Sequence, residues 1–231
     1  MSEIKKFTTP KGDLEYLHID NGADKNFFLL HGYGANMRDL AGIAGISPEL
    51  KKFNWIFPDG IMKVPIGPYM MGKAWFPIDM ELLNKAMMDG GFEHLFADHV
   101  PEGLDENSEI VKDFIESFDK PFILGGFSQG SMLSNYLIFE KGMTPDALVL
   151  LSSTLVAKNR WLDRLSTSAW GGPIFQSHGV HDPVLPINLS RELRDLFLSH
   201  HRNVDYHEFP GGHEIPPQIL QAFIKFLKDK S

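Results

Sequence analysis

The sequence predicts an α/β fold with a mostly parallel central sheet flanked by helices on both faces. Three observations carry this expectation. Short, wholly apolar runs such as Phe27-Phe28-Leu29-Leu30 and Ala147-Leu148-Val149-Leu150-Leu151 recur along the chain, as expected of strands covered on both faces. Stretches of helical period alternate with them. Several runs lead straight into loops rich in Gly, His, Ser and Asp, and open parallel sheets keep their chemistry at those strand ends.

In chain order, residues 14–19 read as a first strand, ended by the turn signal Asp20-Asn21-Gly22. Residues 27–30 form the next and lead into His31-Gly32-Tyr33-Gly34-Ala35-Asn36. Residues 54–57 are a third, closed by Pro58-Asp59-Gly60. The stretch 61–104 breaks the strand–helix rhythm. It is rich in Met, Gly, Pro and aromatic residues, and reads as an excursion covering a pocket, since methionines suit surfaces that accept varied apolar chains. Within it, Trp75 and Phe76 are the candidate pocket wall. Residues 107–118 are an amphipathic helix with Ile110, Val111, Phe114, Ile115 and Phe118 on one face. A strand at 121–124 and a helix from 129 to about 140 bracket Gly125 to Gly130. The strand at 147–151 ends at Ser152-Ser153, read as polar lining, and 154–171 holds a short helical piece with Trp161 and Trp170. Strands at 174–177 and 204–209, helices at 188–200 and 218–228, and the loops between them complete one domain spanning 1–231.

Composition removes several function classes. The chain has no cysteine, which excludes disulfides, thiolate catalysis and Cys-ligated zinc. Net charge is −8 without a basic stripe, which argues against nucleic acid as a partner. No apolar run approaches ~18 residues, so no membrane span is expected. The polar start Met1-Ser2-Glu3-Ile4-Lys5-Lys6 lacks the apolar core of a secretory signal, and a cytoplasmic protein is the simplest expectation. His94, Asp98 and His99 stand at i, i+4, i+5 without a confident further ligand, so no metal is expected. Apolar residues around the pocket leave a homodimer and a lid equally open.

The chemistry concentrates in three loops. Gly126-Phe127-Ser128-Gln129-Gly130 fits G-x-S-x-G between a strand and a helix. Such a turn is crowded, so the positions two before and two after the serine must be small, and the following helix aims its first N–H groups at the serine. Asp182 and His213 each follow a predicted strand, giving the order Ser128, Asp182, His213 at one sheet edge. A serine hydroxyl is a weak nucleophile, so a base must take its proton. Histidine does this near neutral pH, and a buried carboxylate fixes its tautomer. Two preorganised donors for the oxyanion are assigned to the backbone N–H groups of Tyr33 and Gln129. His31 reads as structural, holding the loop; His178 and His181 flank the acid.

On Leu29 to Asn36, Gly125 to Gly130, His178 to Pro186 and Gly211-Gly212-His213-Glu214-Ile215, the chain resembles the phospholipase/carboxylesterase family of α/β hydrolases, which includes the acyl-protein thioesterases. The resemblance spans about residues 14–228. It implies an α/β-hydrolase fold, a triad of Ser128, His213 and Asp182, oxyanion amides at Tyr33 and Gln129, and cofactor-free hydrolysis of short-to-medium acyl esters through an acyl-enzyme. Acyl-protein thioesterase and lysophospholipase are the alternatives within the same site, and a non-catalytic binder of small apolar ligands is the rival outside it. Trp75-Phe76 resembles the family's pocket-lining Trp-Phe element. Two features depart from the family pattern. Pro77 stands where many members carry an acidic or small residue, and 80–104 is longer and richer in Met. Both bear on acyl-chain preference.

Overall fold

Wherever the sequence runs apolar without interruption, the chain is extended and its two faces meet different layers. In the computed structural model, which describes residues 2–79, 81, 85, 88, 99–228 and 230, the strands are β1 (Ser2–Thr9), β2 (Gly12–Ile19), β3 (Asn26–Leu30), β4 (Asn54–Pro58), β5 (Met62–Gly67), β6 (Met70–Ala74), β7 (Phe122–Phe127), β8 (Ala147–Leu151), β9 (Ile174–Gly179) and β10 (Val204–Phe209). The α-helices labelled here are α1 (Leu104–Glu116), α2 (Gln129–Phe139), α3 (Lys158–Thr167), α4 (Ile187–Ser199) and α5 (Pro217–Leu227). No helix among the described residues is long and apolar enough to cross a membrane.

Eight strands form one sheet in the order β1-β2-β4-β3-β7-β8-β9-β10. From β4 to β10 every neighbouring pair is parallel, while β1 and β2 join antiparallel at one edge. Because side chains alternate across a strand, Phe28, Leu30, Leu124, Leu148 and Leu150 enter the layer of α1 to α4. Phe27, Leu29, Ile123, Val149 and Leu151 meet α5 and the 3-10 turn at Ala41–Gly45. That double burial explains why the strands are apolar throughout.

The strand order reverses between β3 and β7. The chain leaves β3 for β4 on one side, then builds β7, β8, β9 and β10 on the other. The loops after β3 and β7 therefore face one another across the switch point, where open α/β sheets place their ligand crevice.

Two parts of the fold were not expected from sequence. β1 escapes pattern reading because it is an exposed edge with little to bury. Its Glu3, Lys5 and Lys6 protect that edge from pairing. Residues 62–74, inside the expected excursion, form the β5–β6 hairpin as a separate small sheet. The hairpin leaves Ile66, Tyr69, Met70 and Met71 exposed. Most of 80–98, including Met80, Met87, His94 and Asp98, lies outside the described residues.

Candidate active site

Ser128 sits between β7 and α2 with φ 53° and ψ −119°, a backbone conformation that costs an L-residue about 1–3 kcal/mol. The neighbouring glycines are what make the turn feasible. A Cβ on Gly126 would overlap the carbonyl of Gly130, and a Cβ on Gly130 would overlap the Leu30 carbonyl. The Ser128 N–H is satisfied by Leu151 O at 2.9 Å, and its carbonyl accepts from Ser131 and Met132 at the start of α2. The serine is thus raised at the N-terminal, electropositive end of a fully buried helix.

Asp182 and His213 arrive from the ends of β9 and β10. His213 Nδ1 lies 2.7 Å from Asp182 Oδ2, and its ring rests against Phe127 with centroids 4.8 Å apart, beside Ser128. Asp182 Oδ1 accepts from the amides of Val184 (2.8 Å) and Leu185 (2.9 Å). Burial alone would raise the Asp182 pKa. The hydrogen bonds from His213, Leu185 and Val184 outweigh it and hold the carboxyl below its ordinary value. The two loops are joined through backbone: His181 N–H donates to Gly211 O at 3.0 Å, and a Cβ on Gly179 would overlap Gly212 O. The Ser128 hydroxyl has no hydrogen-bond partner among the described residues. Ligand-free sites commonly leave that contact loose and tighten it when substrate enters.

His178, which sequence reading left as a flanking histidine, lies beneath the acid. Its Nε2 is 2.8 Å from Leu185 O and 3.4 Å from Asp182 Oδ2. Burial lowers its pKa, so it is neutral and braces the turn that wraps the carboxylate. Ser152 and Ser153 are support rather than lining. Both are buried, and the Ser152 hydroxyl reaches Glu214 O, next to His213, at 3.5 Å.

Across the switch point, the loop from His31 to Met37 comes close to the elbow. A Cβ on Gly32 would lie 3.3 Å from Ser128 Cβ. The N–H groups of Tyr33 and Gln129 have no partner among the described residues, so both are free to donate. His31 is buried and hydrogen-bonded at both ring nitrogens: Nδ1 to Gly32 O (2.7 Å), Nε2 from Gly60 N–H (2.9 Å). With Nε2 accepting, the ring is the Nδ1–H tautomer, and burial keeps its pKa low.

A cavity of about 80 Å³ borders α2, with walls from Phe76, Pro77, Met132, Val156 and Leu185 among others. They are almost wholly apolar. Phe76 is on this wall. Trp75 is not, and the pocket-wall expectation is corrected: its ring is fully buried, and its Nε1 donates to His31 O at 2.8 Å. It supports the wall from behind. Pro77, the departure noted in the sequence, lies on the wall itself. Sequence reasoning also missed the Gln129 side chain, which accepts from Trp75 N–H (2.9 Å) and donates to Phe76 O (2.6 Å). The elbow therefore clamps the segment after β6 directly, and Asn107 adds a bond to Trp75 O at 2.8 Å. No sequence spacing signals such long-range pairs.

A family model described as phospholipase/carboxylesterase matches residues 18–231. Acyl-protein thioesterase 1 of Debaryomyces hansenii is 25% identical over 221 residues, covering 90% of this chain and 91% of its own. Its namesake in Candida albicans is 28% identical over 219 residues, covering 87% and 89%. Among solved structures, esterase PE8 superposes with a TM-score of 0.70 at 22% identity, covering 99% of this chain and 98% of its own. Acyl-protein thioesterase 2 of Zea mays gives 0.67 at 20% identity, covering 93% and 97%. These structural likenesses speak for the fold.

Proposed function

The chain belongs to the phospholipase/carboxylesterase family, and from that premise we propose that it is a serine hydrolase of short-to-medium acyl carboxylic esters, working through Ser128, His213 and Asp182. The observation that carries this reading is the 2.7 Å Asp182–His213 bond beside a serine held at φ 53°. Ser128 Oγ attacks the acyl carbon while His213 Nε2 takes its proton. Asp182 holds Nδ1–H and stabilises the imidazolium. The oxyanion accepts from the N–H groups of Tyr33 and Gln129. Collapse expels the alcohol, which leaves with the proton from His213. Water, deprotonated by the same histidine, then attacks the acyl-enzyme, releases the acid and restores Ser128.

The cavity supports the chain length. Its volume of about 80 Å³ is roughly half of the ~150 Å³ that takes up benzene in an engineered apolar cavity, so a short acyl group fits inside and longer ones must reach past it. The test is hydrolysis of p-nitrophenyl esters from acetate to palmitate by wild type and Ser128→Ala. Wild type is expected to peak at short or medium chains, and Ser128→Ala to lose at least about 10³-fold in kcat with an unchanged circular dichroism spectrum. Retained turnover by the folded variant would overturn the assignment.

A second reading is favoured by the relatives, named acyl-protein thioesterases over most of their length. Under it, the same acyl-enzyme forms from a thioester. Comparing kcat/KM for oxygen esters and thioesters of matched acyl length decides between the two.

A further inference from the structure

We propose that Asp59 and Lys73 are positioning residues that hold the Tyr33 amide where the oxyanion forms and tie it to the β5–β6 hairpin. The proposal rests on the oxyanion-hole reading above.

The loop after β3 is fastened by bonds that converge on these two residues. Asp59 is buried at the end of β4, and both its oxygens are used. Oδ1 accepts the Met37 N–H at 2.9 Å, and Oδ2 pairs with Lys73 Nζ at 3.1 Å. The Lys73 ammonium also donates to Gly60 O at 3.3 Å, on the residue whose N–H fixes the His31 ring. The backbone of Lys73 completes the clamp: its carbonyl accepts from Gly34 N–H and its N–H donates to Ala35 O, each at 2.8 Å. Gly34 has φ 80°, and Gly72 comes so close to it that a Cβ there would overlap Gly34 O. Tyr33 is thus flanked by anchored residues, while its own N–H is left without a partner among the described residues.

A buried ion pair is weak evidence for stability. Here Asp59, in the turn after β4, ties Lys73 of the hairpin to Met37 of the oxyanion loop. An oxyanion donor acts only when its geometry is held ready for the transition state. Removing one donor outright costs about 10²–10³ in kcat, so loosening the side-chain half of the clamp, which misplaces the donor without deleting it while the Lys73 backbone bonds stay in place, is expected to cost about 10–100-fold.

The experiment uses Lys73→Met, the conservative Lys73→Arg, and Asp59→Leu/Lys73→Met. The double variant removes both charges and leaves neither buried alone, so it keeps the proposal testable where a single variant folds poorly. Each is assayed on p-nitrophenyl butyrate beside Ser128→Ala, with thermal unfolding recorded and the affinity of a trifluoromethyl ketone measured. In Lys73→Met and the double variant, kcat is expected to fall about 10–100-fold with KM changed less than about 3-fold and an unshifted pH–rate profile. The ketone, whose adduct carries the oxyanion, should weaken by a similar factor. Lys73→Arg should recover most of the rate. Wild-type kcat in the folded double variant would overturn the proposal, as would a loss expressed in KM alone. If Ser128→Ala itself retains activity, the serine-hydrolase reading fails instead, and the two failures are told apart in one assay.

Discussion

On the His213 side of the site, the geometry converges on one carboxylate. Asp182 takes the His213 ring on one oxygen and two amides of its own turn on the other. His178 braces that same turn through Leu185 O. On the Tyr33 side, support is spread over many groups: the His31 ring, the Asp59 carboxylate, both backbone groups of Lys73 and the Trp75 indole each hold one point of the loop. The contrast follows from what each side must do. A histidine base needs one proton direction fixed, which one acceptor can do. An amide donor has no side chain to steer, so it is placed only by anchoring the chain on both sides of it. Concentrated support makes the first side fragile to a single substitution, and distributed support makes the second degrade by steps.

The largest expected effect tests that fragility. Asp182→Asn should lower kcat by about 10³–10⁴-fold, since the imidazole loses the acceptor that sets its tautomer. The amide also brings an N–H toward either His213 Nδ1–H or the Val184 and Leu185 donors, destabilising the folded state by about 1–3 kcal/mol for an unsatisfied group. Steady-state kinetics and urea unfolding measure both. If Asp182→Asn costs no more than Lys73→Met, the contrast between the two sides is wrong.

That same contrast decides how much was legible in the sequence. Ser128, Asp182 and His213 each follow a wholly or partly apolar strand and sit in Gly- or Pro-marked turns, so topology alone brings their loops to one edge. The glycines at 126 and 130 were readable because steric crowding leaves no other residue. Asp59 and Lys73 were not readable: Pro58-Asp59-Gly60 looks like any turn, and Lys73 lies in a hairpin whose partner loop is distant in the chain. The chemistry of Trp75 suits a pocket wall, whereas its ring is fully buried and its indole bonds His31 O, a pairing that no pattern encodes. β1 was missed because an edge strand with little apolar surface leaves no period to detect.

A smaller effect belongs to the cavity between the two sides. Met132 lies one helical turn beyond Ser128, and Val156 faces the same space, its carbonyl held by the Trp161 indole at 2.9 Å. Met132→Ala should lengthen the preferred acyl chain and Val156→Phe should shorten it. Each methylene gained or lost is worth about 1–3 kcal/mol in kcat/KM discrimination. The ester series measures this, and an unmoved optimum in both variants would separate the cavity from acyl recognition.

The smallest effect sharpens the comparison through stability, because each side contains one buried neutral histidine. Burial lowers the pKa of His31 and His178 from the ordinary 6.5; half-exposed His18 shifts the same way. Below about pH 6.5 the unfolded chain therefore binds protons that the folded chain refuses. The stabilising contribution is complete above that pH and is lost as pH falls toward the depressed folded values, by no more than about 1.4 kcal/mol per pH unit for each histidine. Asp182, with its lowered carboxyl pKa, adds a further loss only below its unfolded value of 3.8. Urea unfolding from pH 7.5 to 5 should show stability falling with acid, and His178→Gln should flatten the slope by about one proton. His31→Gln should do the same while also lowering kcat, since His31 fixes the Tyr33 loop from below. A slope unchanged in both variants would mean that neither ring is held neutral by its burial, and that the two sides do not share this acid-sensitive support.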